Sequence, residues 1–172
     1  MAQDEGRFGR ISSPKKTWAP AGIRPKSPRQ VVREFLYAYS AVCPSKGKIT
    51  SLILPYANTE MMNIFLNHVS SEFKEHFIHM LVDRAGWHVS KKLKVPENIK
   101  LIPQPSHSPE LNPTEHIWDE IREKHFQNRA FKSLDHVENT LCYALNDLDK
   151  HPDKIKSMTN FPYLNITAQN AT

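Results

Sequence analysis

Hydrophobic and polar positions along this chain change period several times, and each change marks an element. The run E-F-L-Y-A-Y-S-A-V over residues 34–42 is dense in strand formers. Cys43-Pro44-Ser45-Lys46-Gly47-Lys48 makes a turn, and residues 49–54 return as a second strand that Pro55 ends, an antiparallel pair. From about Asn58, the residues Met61, Met62, Phe65, Leu66, Val69 and Phe73 recur at three- and four-residue spacing, which predicts a helix with one core-facing side. Residues 77–82 are nearly all apolar and end at Asp83, the mark of a short strand buried on both faces; residues 99–103 make another. Ile117, Trp118 and Ile121 then line the inner face of a helix. A further helix begins near Ser133, with Leu134, Val137, Leu141, Ala144, Leu145 and Leu148 inward.

The remaining stretches are less periodic. Asp4-Glu5-Gly6 and Phe8-Gly9 read as the end of a strand and a turn, and residues 10–28, with four prolines and Gly22, as short irregular strands or a flap. Lys91 to Lys94 are expected to begin a short basic helix, and residues 151–172 to form a loosely held tail. The order predicts an α/β fold with an antiparallel beginning and a parallel core, one domain over residues 1–150. A hydrophobic content of 39% with 24% charged residues agrees with one globular core.

Charge adds a partner. The net charge is +5, yet residues 1–33 hold eight basic side chains against Asp4 and Glu5, so the rest is close to neutral. A basic arm on a neutral body suggests a polyanion, nucleic acid before membrane, with a merely solvated surface segment as the alternative. No apolar run approaches the length of a membrane span or signal peptide, and Cys43 and Cys142 lie far apart, so an intracellular protein with reduced thiols is expected. No H-E-x-x-H spacing occurs among the nine histidines, which argues against a zinc hydrolase.

Candidate chemistry centres on residues 106–118, a polar, proline-broken loop running into a helix. Asn112 suits the N-cap and Pro113 the first helical position, which puts Glu115 third, near the positive end of the helix dipole. Glu115 is either an acidic ligand or the second half of a capping box with Asn112. Asp83, at the carboxyl end of a buried strand, stands where open α/β sheets place their chemistry; the alternative is a cap on the turn Arg84-Ala85-Gly86. Together with Asp4, these carboxylates would form a site for hard divalent cations, Mg²⁺ or Mn²⁺. Two such ions about 3.5–4 Å apart could hold a phosphodiester for in-line attack.

The residues Asp4-Glu5-Gly6-Arg7-Phe8-Gly9, Trp18-Ala19-Pro20 with Gly22 and Arg24-Pro25, Asp83-Arg84-Ala85-Gly86-Trp87-His88, and S-P-E-L-N-P-T-E-H-I-W over 108–118 resemble successive motifs of bacterial insertion-sequence transposases related to the Tc/mariner superfamily. The likeness runs from residue 3 to about 148, and its last motif is the most specific. It implies a ribonuclease H-like mixed sheet and a catalytic, metal-binding triad of Asp4, Asp83 and Glu115 using two Mg²⁺ or Mn²⁺ ions, with no small-molecule cofactor. It further implies cleavage at terminal inverted repeats, transfer of a 3′-hydroxyl into target DNA, a homodimer on paired ends, and a bacterial cytoplasmic, nucleoid-associated setting.

By motif position Glu5, Glu110 and Glu120 rank below the triad. Candidate DNA contacts are Arg7, Arg10, Lys15, Lys16, Arg24, His88, Lys91 and Lys92, although a structural role for His88 stays open. Two departures from the family pattern stand out: only thirty-one residues separate Asp83 from Glu115, and the helix-turn-helix region and most of the first strand are expected to be absent. A catalytically silent DNA-binding or dimerising remnant is therefore the alternative function, and a general nuclease of the same fold the third.

Overall fold

A computed structural model describes residues 1–105 and 108–162. Ser106 and His107 of the candidate loop, and residues 163–172 of the expected tail, lie outside the described residues. Five strands form one sheet: β1 (Ala2–Ile11), β2 (Val31–Cys43), β3 (Lys48–Leu54), β4 (Ile78–Val82) and β5 (Ile99–Pro103), in the spatial order β3-β2-β1-β4-β5. β1, β2 and β3 pair antiparallel, while β4 runs parallel to both β1 and β5. The expected ribonuclease H-like arrangement, antiparallel first and parallel after, is the one observed.

Helices cover both faces. On one side α1 (Thr59–Glu72) buries Met62, Phe65, Leu66 and Val69 against Tyr39, Ala41, Met80 and Val82. The Asn58 side chain caps it by accepting the Met61 N–H at 2.9 Å. On the other side α2 (Thr114–Ile121), α3 (Leu134–Asp149) and α4 (Pro152–Thr159) pack on Ala2, Phe8, Ala38 and Val42. Ile117, Trp118 and Ile121 of α2 are each at most 1% exposed, and burial of side chains of this size stabilises by about 2 kcal/mol apiece. β2 is apolar on both faces because both helical layers rest on it, Ala38 and Val42 facing one layer and Tyr39 and Ala41 the other.

Three expectations are corrected. β1 is a full ten-residue strand, paired with β2 from Ala2↔Val42 to Ile11↔Val31 through a bulge after Gly9, and Asp4 lies near its start rather than its end. Its glycines mark close approach rather than a turn: a Cβ on Gly6 would stand 2.7 Å from Phe8 and 2.8 Å from Trp118, and one on Gly9 would stand 2.3 Å from the Glu34 carbonyl. Lys91 to Lys94 form no helix. Asn63 captures that segment instead, donating to the Lys92 carbonyl and accepting the Lys94 N–H. Residues 152–159 of the expected tail are α4, with Ile155 and Thr159 fully buried. Two inward residues in eight are too few to register as a period in the sequence. Among the described residues no helix is long and apolar enough to cross a membrane.

The tight fit at Gly6 yields a test. Gly6→Ala is expected to lower stability by about 1–3 kcal/mol, read as a lower denaturant midpoint at unchanged slope, because Trp118 and Phe8 must move to admit one methyl.

Candidate active site

Asp4 is the third residue of β1, and Asp83 is the first residue past β4. Ala2 pairs with Leu81 in the parallel ladder, so each acid stands two residues beyond that pair on its own segment. Glu115 arrives from the first turn of α2, whose start is bonded directly to β1. Asn112 Nδ2 donates to the Gln3 carbonyl at 3.1 Å, its Oδ1 accepts the Thr114 N–H at 3.1 Å, and Thr114 Oγ1 donates to the Ala2 carbonyl at 3.2 Å. The helix starts one residue later than expected, with Pro113 at the N-cap position, and Asn112 accepts its first N–H from just outside while fastening it to the sheet. Among the described residues Glu115 makes no return bond to Asn112, so the capping box is not formed.

Trp118 follows Glu115 by three residues and so shares its side of α2. Its Nε1 donates to Asp4 Oδ2 at 2.8 Å. Burial drives the Asp4 carboxyl upward, the Trp118 bond opposes this, and the charges of Glu115 and then Glu5 push it further, to about 7. Asp4 and Glu115 thus feel each other electrostatically, as carboxylates serving one site would.

Asp83 is held in a second cluster. Its Oδ1 receives the Ala85 N–H at 2.9 Å, which realises the turn-capping alternative, and lies 2.6 Å from His88 Nδ1. The other ring nitrogen of His88 is 3.0 Å from Glu5 Oε1, which also accepts from Gln3 Nε2 at 3.0 Å and Trp87 Nε1 at 3.3 Å. Burial would depress His88, but bonds to Asp83 and Glu5, and their charges, outweigh it and raise the ring to about 9. The same His88 bond holds Asp83 below the usual carboxylate range. His88 is accordingly an imidazolium clasped between two carboxylates, its side chain 1% exposed.

Alternation along β1 separates the two adjacent acids. Asp4 faces α2. Glu5 points to the opposite layer, where burial first and then the charge of Glu5 push the Tyr39 phenol up. Glu120 is engaged by Lys124 and Lys154 at 2.5 Å each, and Glu110 is exposed on the 3-10 turn Pro109–Leu111. Among the described residues, no three His, Cys, Asp or Glu side chains stand grouped as a metal cage.

Of the candidate DNA contacts, Arg7 is exposed with its guanidinium 4.7 Å from the Phe35 ring centre, and Lys15, Lys16, Arg24, Lys91 and Lys92 are exposed in loops. Arg10 and His88 are committed inside the protein. Arg10 donates to the carbonyls of Phe131 and Lys132 and pairs with Glu34 at 2.6 Å. The indole N–H groups of Trp87 and Trp118 bond Glu5 and Asp4, which the inner-face position of Trp118 does not by itself predict; the i,i+3 spacing of Glu115 and Trp118 is the available signal. Gln104 was also missed. It follows β5, bonds the Val82 carbonyl through its N–H, is 3% exposed, and among the described residues has no partner for Nε2.

The family model described as DDE superfamily endonuclease matches residues 1–138. A Sinorhizobium fredii (strain NBRC 101917 / NGR234) protein described as "Uncharacterized protein y4pE/y4sA" is 44% identical over 124 residues, 71% of this chain and 91% of the relative. Among solved structures, the Mos1 mariner paired end complex with Mn gives a TM-score of 0.64 at 16% identity, covering 92% of this chain and 53% of that one. The Mos1 strand transfer complex gives 0.60 at 15%, covering 93% and 54%. The catalytic domain of Mos1 mariner transposase alone gives 0.55 at 12%, covering 92% and 79%. This chain spans about half the length of the Mos1 chains in the complexes, and at these identities the likeness establishes the fold.

The clasped histidine has a pH signature. Because the folded value of His88 lies above the ordinary 6.5, its contribution is full below about pH 6.5 and lost as pH rises through about 9. Metal-free protein should therefore lose on the order of 3 kcal/mol between pH 6.5 and 9.5. Asp4 contributes its own decline earlier, between about pH 4 and 7, since its folded value is also raised. Thermal melts of His88→Gln should be flatter above pH 7; an equal slope in both proteins would contradict the clasp.

Proposed function

The chain belongs to the DDE superfamily endonuclease family, and from that premise we propose that it is the catalytic domain of a DNA transposase. The reading is metal-dependent cleavage at transposon terminal inverted repeats followed by transfer of the 3′-hydroxyl into target DNA, with Asp4, Asp83 and Glu115 as the acidic triad. The observation that carries it is Glu115, brought by a helix bonded to β1 to where its charge acts on Asp4, with Asp83 just past the end of the neighbouring β4. Relatives in fold were solved as paired-end and strand-transfer complexes, two of them with Mn or Mg, which supports DNA, paired ends and a divalent ion here.

The donor set suits Mg²⁺ or Mn²⁺: the triad offers only carboxylate oxygens, and the Asp4 carboxyl is raised first by burial and further by the charge of Glu115. Bound there, such ions would activate the attacking oxygen and stabilise the leaving one. The protein's own part is positioning. Trp118 fixes Asp4 through Oδ2, and His88 and the Ala85 N–H both hold Oδ1 of Asp83. Glu115 stands in the first turn of α2, at the positive end of the helix dipole.

The same grip on Asp83 supports the second reading, a catalytically silent DNA-binding or dimerising remnant. Cleavage of terminal inverted-repeat DNA with Mg²⁺ or Mn²⁺ separates the two. An active chain should lose on the order of a thousandfold in rate as Asp83→Ala or Glu115→Ala. Variants that cut as well as the parent would remove the triad, and salt-sensitive binding without nicking by the parent would establish the remnant.

A further inference from the structure

Residues 12–30, between β1 and β2, carry Lys15, Lys16, Arg24, Lys26 and Arg29 and no acidic residue. The segment is closed in two tiers. At its base Ser12 and Gln30 exchange backbone and side-chain bonds, the Ser12 N–H donating to the Gln30 carbonyl at 3.0 Å and the Gln30 N–H to Ser12 Oγ at 2.8 Å. Further out, Asn128 Oδ1 accepts both the Lys15 N–H at 2.9 Å and Ser27 Oγ at 3.2 Å. Asn128 stands in the left-handed region, φ 56°, which asparagine tolerates better than most residues. Beyond this staple lies a tip, residues 16–26, whose Trp18 is 101% exposed and whose Ile23 is 62% exposed.

A fully exposed indole among uncompensated cations needs a partner that is both anionic and flat. Nucleic acid supplies both, phosphates for Lys16, Arg24 and Lys26 and a π-face for Trp18. A base inside a duplex already has neighbours on both faces, so an indole stacks only on a nucleotide that is unpaired or flipped. We propose that the stapled tip binds unpaired DNA, with Trp18 stacking on a base and Lys16, Arg24 and Lys26 holding the flanking phosphates. This rests on the transposase reading, in which cleaved ends present such nucleotides, but it requires no catalysis.

The test is tryptophan emission during titration of the metal-free protein with single-stranded and duplex oligonucleotides. Trp87 and Trp118 are the other tryptophans and both are bonded indoors, so Trp18 should dominate any change. Single strands should quench emission in a salt-dependent way, and duplex much less. Trp18→Ala should abolish the quench and weaken single-strand binding roughly tenfold, with Trp18→Phe retaining most of the affinity. Asn128→Gly keeps the positive φ and removes only the staple; it should weaken binding with little effect on the melting temperature. Equal quenching by duplex, an unchanged affinity in Trp18→Ala, or an emission change that follows protein concentration rather than DNA would each overturn the proposal, the last indicating a second copy as the occupant. Cleavage by the parent together with any of these results would refute the tip and leave the triad standing.

Discussion

Two buried polar side chains at the entry to α2 decide where this helix meets the central strand. Asn112 and Thr114 bond the carbonyls of Gln3 and Ala2, so the first turn of the helix is fixed to the first residues of the central strand. Each such bond is worth only about 1 kcal/mol net, but leaving its partners buried and unpaired would cost more. That asymmetry makes the docking position-specific in a way that the apolar contacts of Ile117 and Ile121 alone would not be. Glu115 and Trp118 are carried to Asp4 as a consequence.

The electrostatics divide along the same strand. On one face the Asp4 carboxyl, raised toward neutrality, stands near Glu115 with an indole N–H as its direct donor. On the other, Glu5 is matched by the His88 imidazolium, whose second nitrogen reaches Asp83. Glu5 and Asp83 therefore have a resident counter-charge, whereas among the described residues Asp4 and Glu115 are paired with none. Removing water from charged groups is costly unless they are paired, so the deficit falls on Asp4 and Glu115, two of the three acids that the proposed mechanism assigns to divalent ions. His88 links the halves, joining the end of β4 to β1 through its two ring nitrogens.

Away from the site, the loop between β1 and β2 shows how a segment without regular structure is given a shape. Asn128, from the turn after α2, closes the loop partway along its length and leaves an eleven-residue tip outside. Basic charge is concentrated in that segment, which gives a definite location to the net positive charge of the chain.

Much of the architecture was legible from periodicity. The alternating and continuous apolar runs marked β2 to β5, and the three- and four-residue spacing marked α1, α2 and α3, because burial of one face is what those periods encode. The acids Asp4, Asp83 and Glu115 were singled out by motif, and Asn112 at the helix entry by residue type. Other features depended on partners distant in sequence. Gly6 and Gly9 look like turn signals until Trp118 and the Glu34 carbonyl fill the space beside them, and α4 has too few inward residues to show a period. Arg10 reads as a surface cation and the role of His88 stays open, because nothing local reveals that Phe131, Lys132 and Glu34 will surround the one and Glu5 and Asp83 the other. Which acid faces which helix, and which acid receives a counter-charge, was decided only when β1 entered the middle of the sheet, since a central strand sends successive side chains into two different layers.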